Sequence, residues 1–191
     1  MKKINLTFML LAVLALFISS CDGVEKKPAA ETTEAAPLGK GQSAVEPAEG
    51  ADPNALQVAA SLDDFSTLVV AVKAAGVEDA LVNVGPLTVF APVNGAFEKL
   101  PEGTVETLLK PENKGQLAFI LTNHVAPANY PLKQLKKEAS KGRKLYMASG
   151  KYLLVENKED GVYVGGTKVL QTVQVSNGWI HVIDNVLVPA E

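Results

Sequence analysis

The stretch "VLQTVQVSNGWIHVIDNVLV", Val169 to Val188, sets two apolar runs on either side of Asn177-Gly178. Asn and Gly tolerate the positive φ of a type I′ turn, so the pattern predicts a β-hairpin turning at Asn177-Gly178. A second stretch, "KYLLVENKEDGVYVGG" from Lys151 to Gly166, predicts another hairpin around Asp160-Gly161. His181 falls between Ile180 and Val182, where it is read as a packed or half-buried strand residue facing either side of the sheet.

The chain ahead of these hairpins reads differently. "LTVFAPV", Leu87 to Val93, is β-branched and aromatic, is bounded by Gly85-Pro86 and Pro92, and predicts a strand. The remainder is helical in pattern. Ser61 with Asp64 resembles a capping box, after which Phe65, Leu68, Val69 and Val72 recur at helical spacing until Gly76 supplies a stop. A short helix is expected at Glu78 to Val82. Asn94 is placed to cap one through Phe97, Thr104 opens another through Leu109, and Pro111 fits the first turn of a longer helix carrying Leu117, Ile120 and Leu121. Helices before strands indicate an α+β fold with a mostly antiparallel sheet.

That longer helix places the other histidine. His124 shares one helical face with Leu117, Ile120 and Leu121, which predicts a neutral, buried imidazole satisfied by a partner beneath the proline turn "APANY", Ala126 to Tyr130. The alternative is a binding role through that loop, with His124, Pro127, Asn129 and Tyr130 as its candidate residues.

Composition narrows the function. Of 191 residues 47% are hydrophobic, which excludes global disorder. A net charge of −3 and a pI of 5.5 argue against a dedicated nucleic-acid binder. Lys2 and Lys3 precede an apolar run from Phe8 to Ile18, too short for a membrane span with stop-transfer flanks, so residues 1–20 read as a signal peptide. Ile18-Ser19-Ser20-Cys21 looks like a bacterial lipobox, and Cys21, the chain's 1 cysteine, is expected to carry the lipid that holds the protein on a membrane. Asp22 resembles the inner-membrane retention signal of enteric bacteria, but sorting rules differ between lineages and either membrane stays open. Residues 21–54, with Pro28, Pro37, Pro47 and Pro53 and no aromatic residue, are expected to form a disordered tether. As a coil it would span roughly 30 Å. Residues 22–54 hold 3 basic against 7 acidic residues and 55–191 hold 13 against 14, so the acidity belongs to the tether.

Within 55–191 one charge run stands out. "LKQLKKEASKGRKL" carries Lys133, Lys136, Lys137, Lys141, Arg143 and Lys144 against Glu138 alone. It is either a solvated helix face or a contact for anionic sugars, lipid head groups or an acidic partner. Trp179, Tyr146, Tyr152 and Tyr163 concentrate in the strand-rich half, where they build core or else line an apolar groove. Catalytic chemistry finds no support: there is no G-x-S-x-G, no phosphate-binding glycine pattern, and Glu159-Asp160 falls on a solvated turn. With two histidines far apart and no cysteine left after lipidation, no metal site and no cofactor are expected.

The blocks "LTVFAPVNGAFEKLP" (87–101), "LLKPENKGQLAFILTNHVAPANY" (108–130) and "SNGWIHVIDNVLVP" (176–189) resemble, in order and spacing, the signatures of the fasciclin domain. The resemblance covers residues 55–191. It implies a wedge-shaped β-sandwich with flanking short helices, the first and third blocks on paired central strands, and a non-enzymatic role in adhesion or extracellular interaction. Many members have a Tyr-His pair where Asn123-His124 stands, so an integrin-type contact is not carried over. A protein or polysaccharide partner is the leading expectation, with the domain lipid-anchored to the inner or outer membrane of a bacterial envelope and facing the periplasm or the cell surface. The alternative is a carrier of an apolar small molecule such as a carotenoid or lipid, a role that some fasciclin-like proteins resemble.

Overall fold

The computed structural model describes residues 52–82 and 85–189. The expected signal peptide, Cys21 and the tether as far as residue 51 lie outside the described residues. The fold begins where Asn54 caps α1 (Ala55–Ala60): its side chain accepts from Gln57 N, and Gln57 Oε1 accepts from Asn54 N. The capping box is therefore here, and not at Ser61 and Asp64. Glutamine is long enough to reach back to the cap N–H, whereas Asp64 is too short, and Ser61 instead donates to Val58 O at the end of α1.

A 3₁₀ turn, Asp63–Phe65, leads into α2 (Ser66–Ala75), which buries Leu68, Ala71, Val72 and Ala75 and stops at Gly76 in the left-handed region, as its sequence predicts. α3 (Glu78–Val82), α4 (Asn94–Phe97), α5 (Thr104–Leu108) and α6 (Lys114–Thr122) follow the expected order. Asn94 does not cap its own helix. Its Oδ1 accepts from Thr67 N (3.1 Å), while its Nδ2 donates to Asp63 O (2.9 Å) and Ser66 Oγ (3.0 Å). One side chain thus caps α2 from across the fold, tying the first strand's exit to the helical layer.

The sheet has seven strands in the order β2-β1-β7-β6-β5-β4-β3. They are β1 (Leu87–Pro92), β2 (Val125–Ala126), β3 (Lys144–Tyr146), β4 (Tyr152–Lys158), β5 (Gly161–Val164), β6 (Thr167–Val175) and β7 (Gly178–Ile183), with α7 (Leu132–Ser140) between β2 and β3. Neighbours are antiparallel except the central β1–β7 pair, in which Leu87 stands against Gly178 and Phe90 against His181. Ala148 N donates to Val125 O at 2.7 Å, joining the chain just past β3 to β2 and rolling the sheet toward a barrel. Its two halves then face each other as the layers of a sandwich do.

Every residue of β1 is buried because both of its faces are covered. Leu87, Val89 and Ala91 pack with α1, α2 and α6, while Phe90 joins Leu135, Leu145, Met147, Val155, Val164 and Ile183 inside the rolled sheet. Burying a side chain such as Phe90 contributes on the order of 2–3 kcal/mol.

The hairpins exist, but their turns sit one residue earlier than the sequence suggests. Val175 pairs with Gly178 and Lys158 with Gly161, so the two-residue loops are Ser176-Asn177 and Glu159-Asp160. Gly178 serves close approach instead: at φ 146° a Cβ there would lie 1.8 Å from Leu87 O. The paired positive φ of a I′ turn belongs to Gly165 (56°) and Gly166 (80°), between β5 and β6. Val186 and Leu187, expected to extend the last strand, are buried outside regular structure and are held by side chains.

Candidate functional site

Those side chains are Asn123 and His124, just past α6. Asn123 Nδ2 donates to Leu187 O (2.8 Å), and His124 Nε2 accepts from Leu187 N (2.9 Å). Because Nε2 must be the acceptor there, the imidazole proton sits on Nδ1 and is donated to Ile120 O (2.8 Å). Ser149 Oγ completes the clamp by donating to Asn123 Oδ1 (2.8 Å). Burial pushes the His124 pKa down from 6.5 to about 4, against the opposing effect of the Ile120 carbonyl. His124 is the neutral internal support that its helical spacing predicts.

His181 has the opposite tautomer for the same reason. Its Nε2 faces the Tyr130 carbonyl (2.7 Å) and must donate, leaving Nδ1 to accept from Thr172 Oγ1 (2.9 Å). The ring stacks on Phe90, 5.3 Å between centroids, and burial lowers its pKa. Thr88 anchors the same loop, donating to Ala128 O (2.8 Å) and accepting from Tyr130 N (2.9 Å). The candidate loop 126–130 is consequently pinned from beneath. Pro127 and Asn129 face solvent, while Tyr130 is half-buried against the inner core and spends its backbone, not its ring, on the fixed geometry. Asn123, Thr88, Thr172 and Ser149 carry this architecture without having stood out in the sequence. Their one legible sign is a polar residue inside or beside an apolar run.

α7 presents the contrasting surface. Leu132, Leu135 and Ala139 pack inward, Lys133, Lys137 and Lys141 occupy the opposite, exposed side, and Lys136 is exposed at its edge, one turn from Leu132. None of these four, nor Lys144 at the start of β3, has a carboxylate within ion-pair distance among the described residues. Arg143 differs. It pairs with Glu138 at 3.4 Å, and that carboxylate is itself buried and bonded by Gln134. Arg143 therefore leaves the free cation set and acts as a local staple between the helix end and β3. Lys133 faces Lys137, and Lys137 faces Lys141, across one helical turn, each pair destabilising by about 0.2–0.5 kcal/mol. The first turn also contains no acidic residue to offset the helix dipole. The structure brings the loop and this face together along the chain, since Pro131 ends the one and opens the other.

Apart from Phe90, the aromatic residues of the strands do not form the core. Tyr146 and Tyr152 are exposed and tilt against each other at 5.3 Å, Trp179 is half-buried, and Tyr163 donates to Asp160 (2.6 Å) beneath Lys158. Alternation explains this: Tyr146, Tyr152 and Tyr163 share the outer face, and Leu145, Val155, Val162 and Val164 take the inner one. Asp160 is held below the usual carboxylate range by Tyr163 and then Lys168, in an exposed surface pairing. Among the described residues no group of three His, Cys, Asp or Glu gathers into a metal-binding arrangement.

A rolled sheet with a parallel β1–β7 pair, covered by α1, α2 and α6 on one face and by α7 at the inner core, is the framework of an α+β domain. The Fasciclin domain model matches residues 63–189, and the chain belongs to the fasciclin family. It is 46% identical over 135 residues to Protein sll1483 of Synechocystis sp., covering 70% of this chain and 72% of that one. It is also 29% identical over 131 residues to human periostin, covering 66% of this chain and 15% of periostin. A solved FAS1 domain pair from the insect cell adhesion molecule fasciclin I shares the fold with a TM-score of 0.63 at 23% identity, over 71% of this chain and 51% of that one. This chain thus spans about half of that pair. Membership supports a non-enzymatic, adhesion-type domain that engages protein partners.

Proposed function

We propose that the protein is a lipid-anchored envelope protein that holds its fasciclin domain on an acidic tether and binds an acidic macromolecular partner in adhesion, matrix or envelope contacts. The anchor reading is supported by the lipobox-like Ile18–Cys21 and the apolar run before it. The observation that carries the binding reading is the exposed side of α7, where four lysines stand together without a counter-ion among the described residues although they repel one another. The exposed residues of the pinned loop, Pro127 and Asn129, directly precede α7 along the chain and are held at fixed geometry. Membership in the fasciclin family supports an adhesion-type class of function without naming this partner.

Two experiments test the halves separately. Cys21→Ser is expected to release the protein from the membrane fraction, and retention at normal levels contradicts the anchor. Beads carrying the purified protein are expected to capture host-envelope polysaccharide or protein at low salt and to release it as salt rises. Capture that ignores salt contradicts a partner held through α7.

A further inference from the structure

An apolar cavity of about 140 Å³ lies between α5 and α6, with Val105 and Leu108 on one side, Leu117, Ile120 and Leu121 on the other, and Val186 behind. Two other apolar gaps of the helical layer measure only about 20 and 10 Å³. No charged side chain lines the cavity. His124 is in its wall, but both ring nitrogens are already engaged, by Ile120 O and Leu187 N, so it offers an occupant no hydrogen bond. Thr104 and Gln116 are the remaining polar members of the lining, half-buried and exposed respectively.

The cover over this space is light. α5 has no fully buried residue, and it follows Gly103, which sits at φ 76° with open space around it. Leu117, Ile120, Leu121 and Val186, by contrast, are all buried and belong to the packed layer. One wall is thus fully buried, and the other is a short helix whose Val105 and Leu108 are only half-buried.

We propose that the space beneath α5 is a binding site for a small uncharged hydrocarbon group of about six carbons, either a ring or the end of an alkyl chain whose polar end lies beside Thr104 and Gln116. An apolar cavity of about 150 Å³ is known to stay dry and to take up benzene, which sets the size of the occupant. A carotenoid or a whole acyl chain is too large to be enclosed here. The site is separate from the cation face of α7, and binding at one does not depend on the other.

The test uses the chain from residue 21 with Cys21→Ser, titrated with benzene and with 1-hexanol while amide resonances and melting temperature are followed. Saturable shifts confined to α5, α6 and residues 186–188, with a melting temperature raised by a few degrees, are the expected result for at least one probe. Ala71→Leu fills the cavity from α2, and Val105→Phe fills it from α5 should the first variant fail to fold. Either folded variant is expected to lose the shifts at least tenfold in apparent affinity while the rest of the spectrum is kept. Benzene binding without 1-hexanol binding assigns a ring, and the reverse assigns a chain end. No saturable shift with either probe, or shifts that survive filling, overturns the site.

Discussion

The interior around β1 and β7 and the outer side of α7 treat polar groups in opposite ways. Asn123, His124, His181 and Thr88 are almost completely buried, and each has its hydrogen-bonding groups met by a named backbone or side-chain partner. The lysines of α7 are exposed and meet none among the described residues. In the first region polar chemistry closes the barrel and fixes a loop, so its residues are not available for a partner. In the second only Lys137, in the last turn of α7, suits the helix dipole, and rules that normally favour mixed signs on a helix are broken. The difference separates what holds this domain together from what it can offer to another molecule.

The largest expected effect breaks the interior. Gly178→Ala drives a methyl group into Leu87 O where β1 and β7 meet, and a loss of about 4 kcal/mol or more, seen as failure to fold or a much lower denaturant midpoint, is predicted. His124→Ala leaves Leu187 N unsatisfied and opens space beside the helical layer. It should lower stability by about 3 kcal/mol in urea unfolding at pH 7.

The same histidine sets a pH dependence. Its folded pKa of about 4 lies below its ordinary 6.5, so the folded state binds fewer protons between those values and the stability it supports is complete above pH 6.5. That stability is lost as pH falls toward 4, by on the order of 3 kcal/mol, and His181 adds in the same direction. Unfolding curves of the wild type and His124→Gln across pH 7 to 4 should converge as the pH drops. Parallel curves would remove His124 as the source.

Asn94→Ala removes the cap that α2 receives from across the fold, and a loss of about 1–2 kcal/mol is expected in the same assay. The smallest effect falls on the outer side. Lys137→Glu relieves two like-charge pairs but sets an anion in the last turn of α7, and the two effects should leave stability within a few tenths of a kcal/mol of the wild type in urea unfolding.

Much of this contrast was legible in the chain. The helical spacing of Leu117, Ile120, Leu121 and His124 placed the imidazole in the core, and the charge run placed α7 on the surface. The fasciclin-like blocks paired β1 with β7. What the sequence concealed were partners distant along the chain. Asn94 reads as a local cap because nothing near it reveals the N-terminus of α2, 27 residues earlier. Asn177-Gly178 reads as a turn because the approach of Leu87 O, which requires the glycine, comes from another strand. The tyrosines read as core because alternation within a strand does not say which face is inward. Arg143 looked equivalent to its lysine neighbours until Glu138 proved buried beside it.

The most direct measurement compares the wild type with the triple variant Lys133→Glu, Lys136→Glu and Lys137→Glu, each assayed for melting temperature and for the salt concentration that elutes it from immobilised heparin, an anionic polysaccharide. We predict melting temperatures within about 3 °C of each other and a salt-dependent retention that only the wild type shows. Equal retention of the two proteins, or a wild type that heparin does not retain, would contradict the assignment of α7 as the binding face.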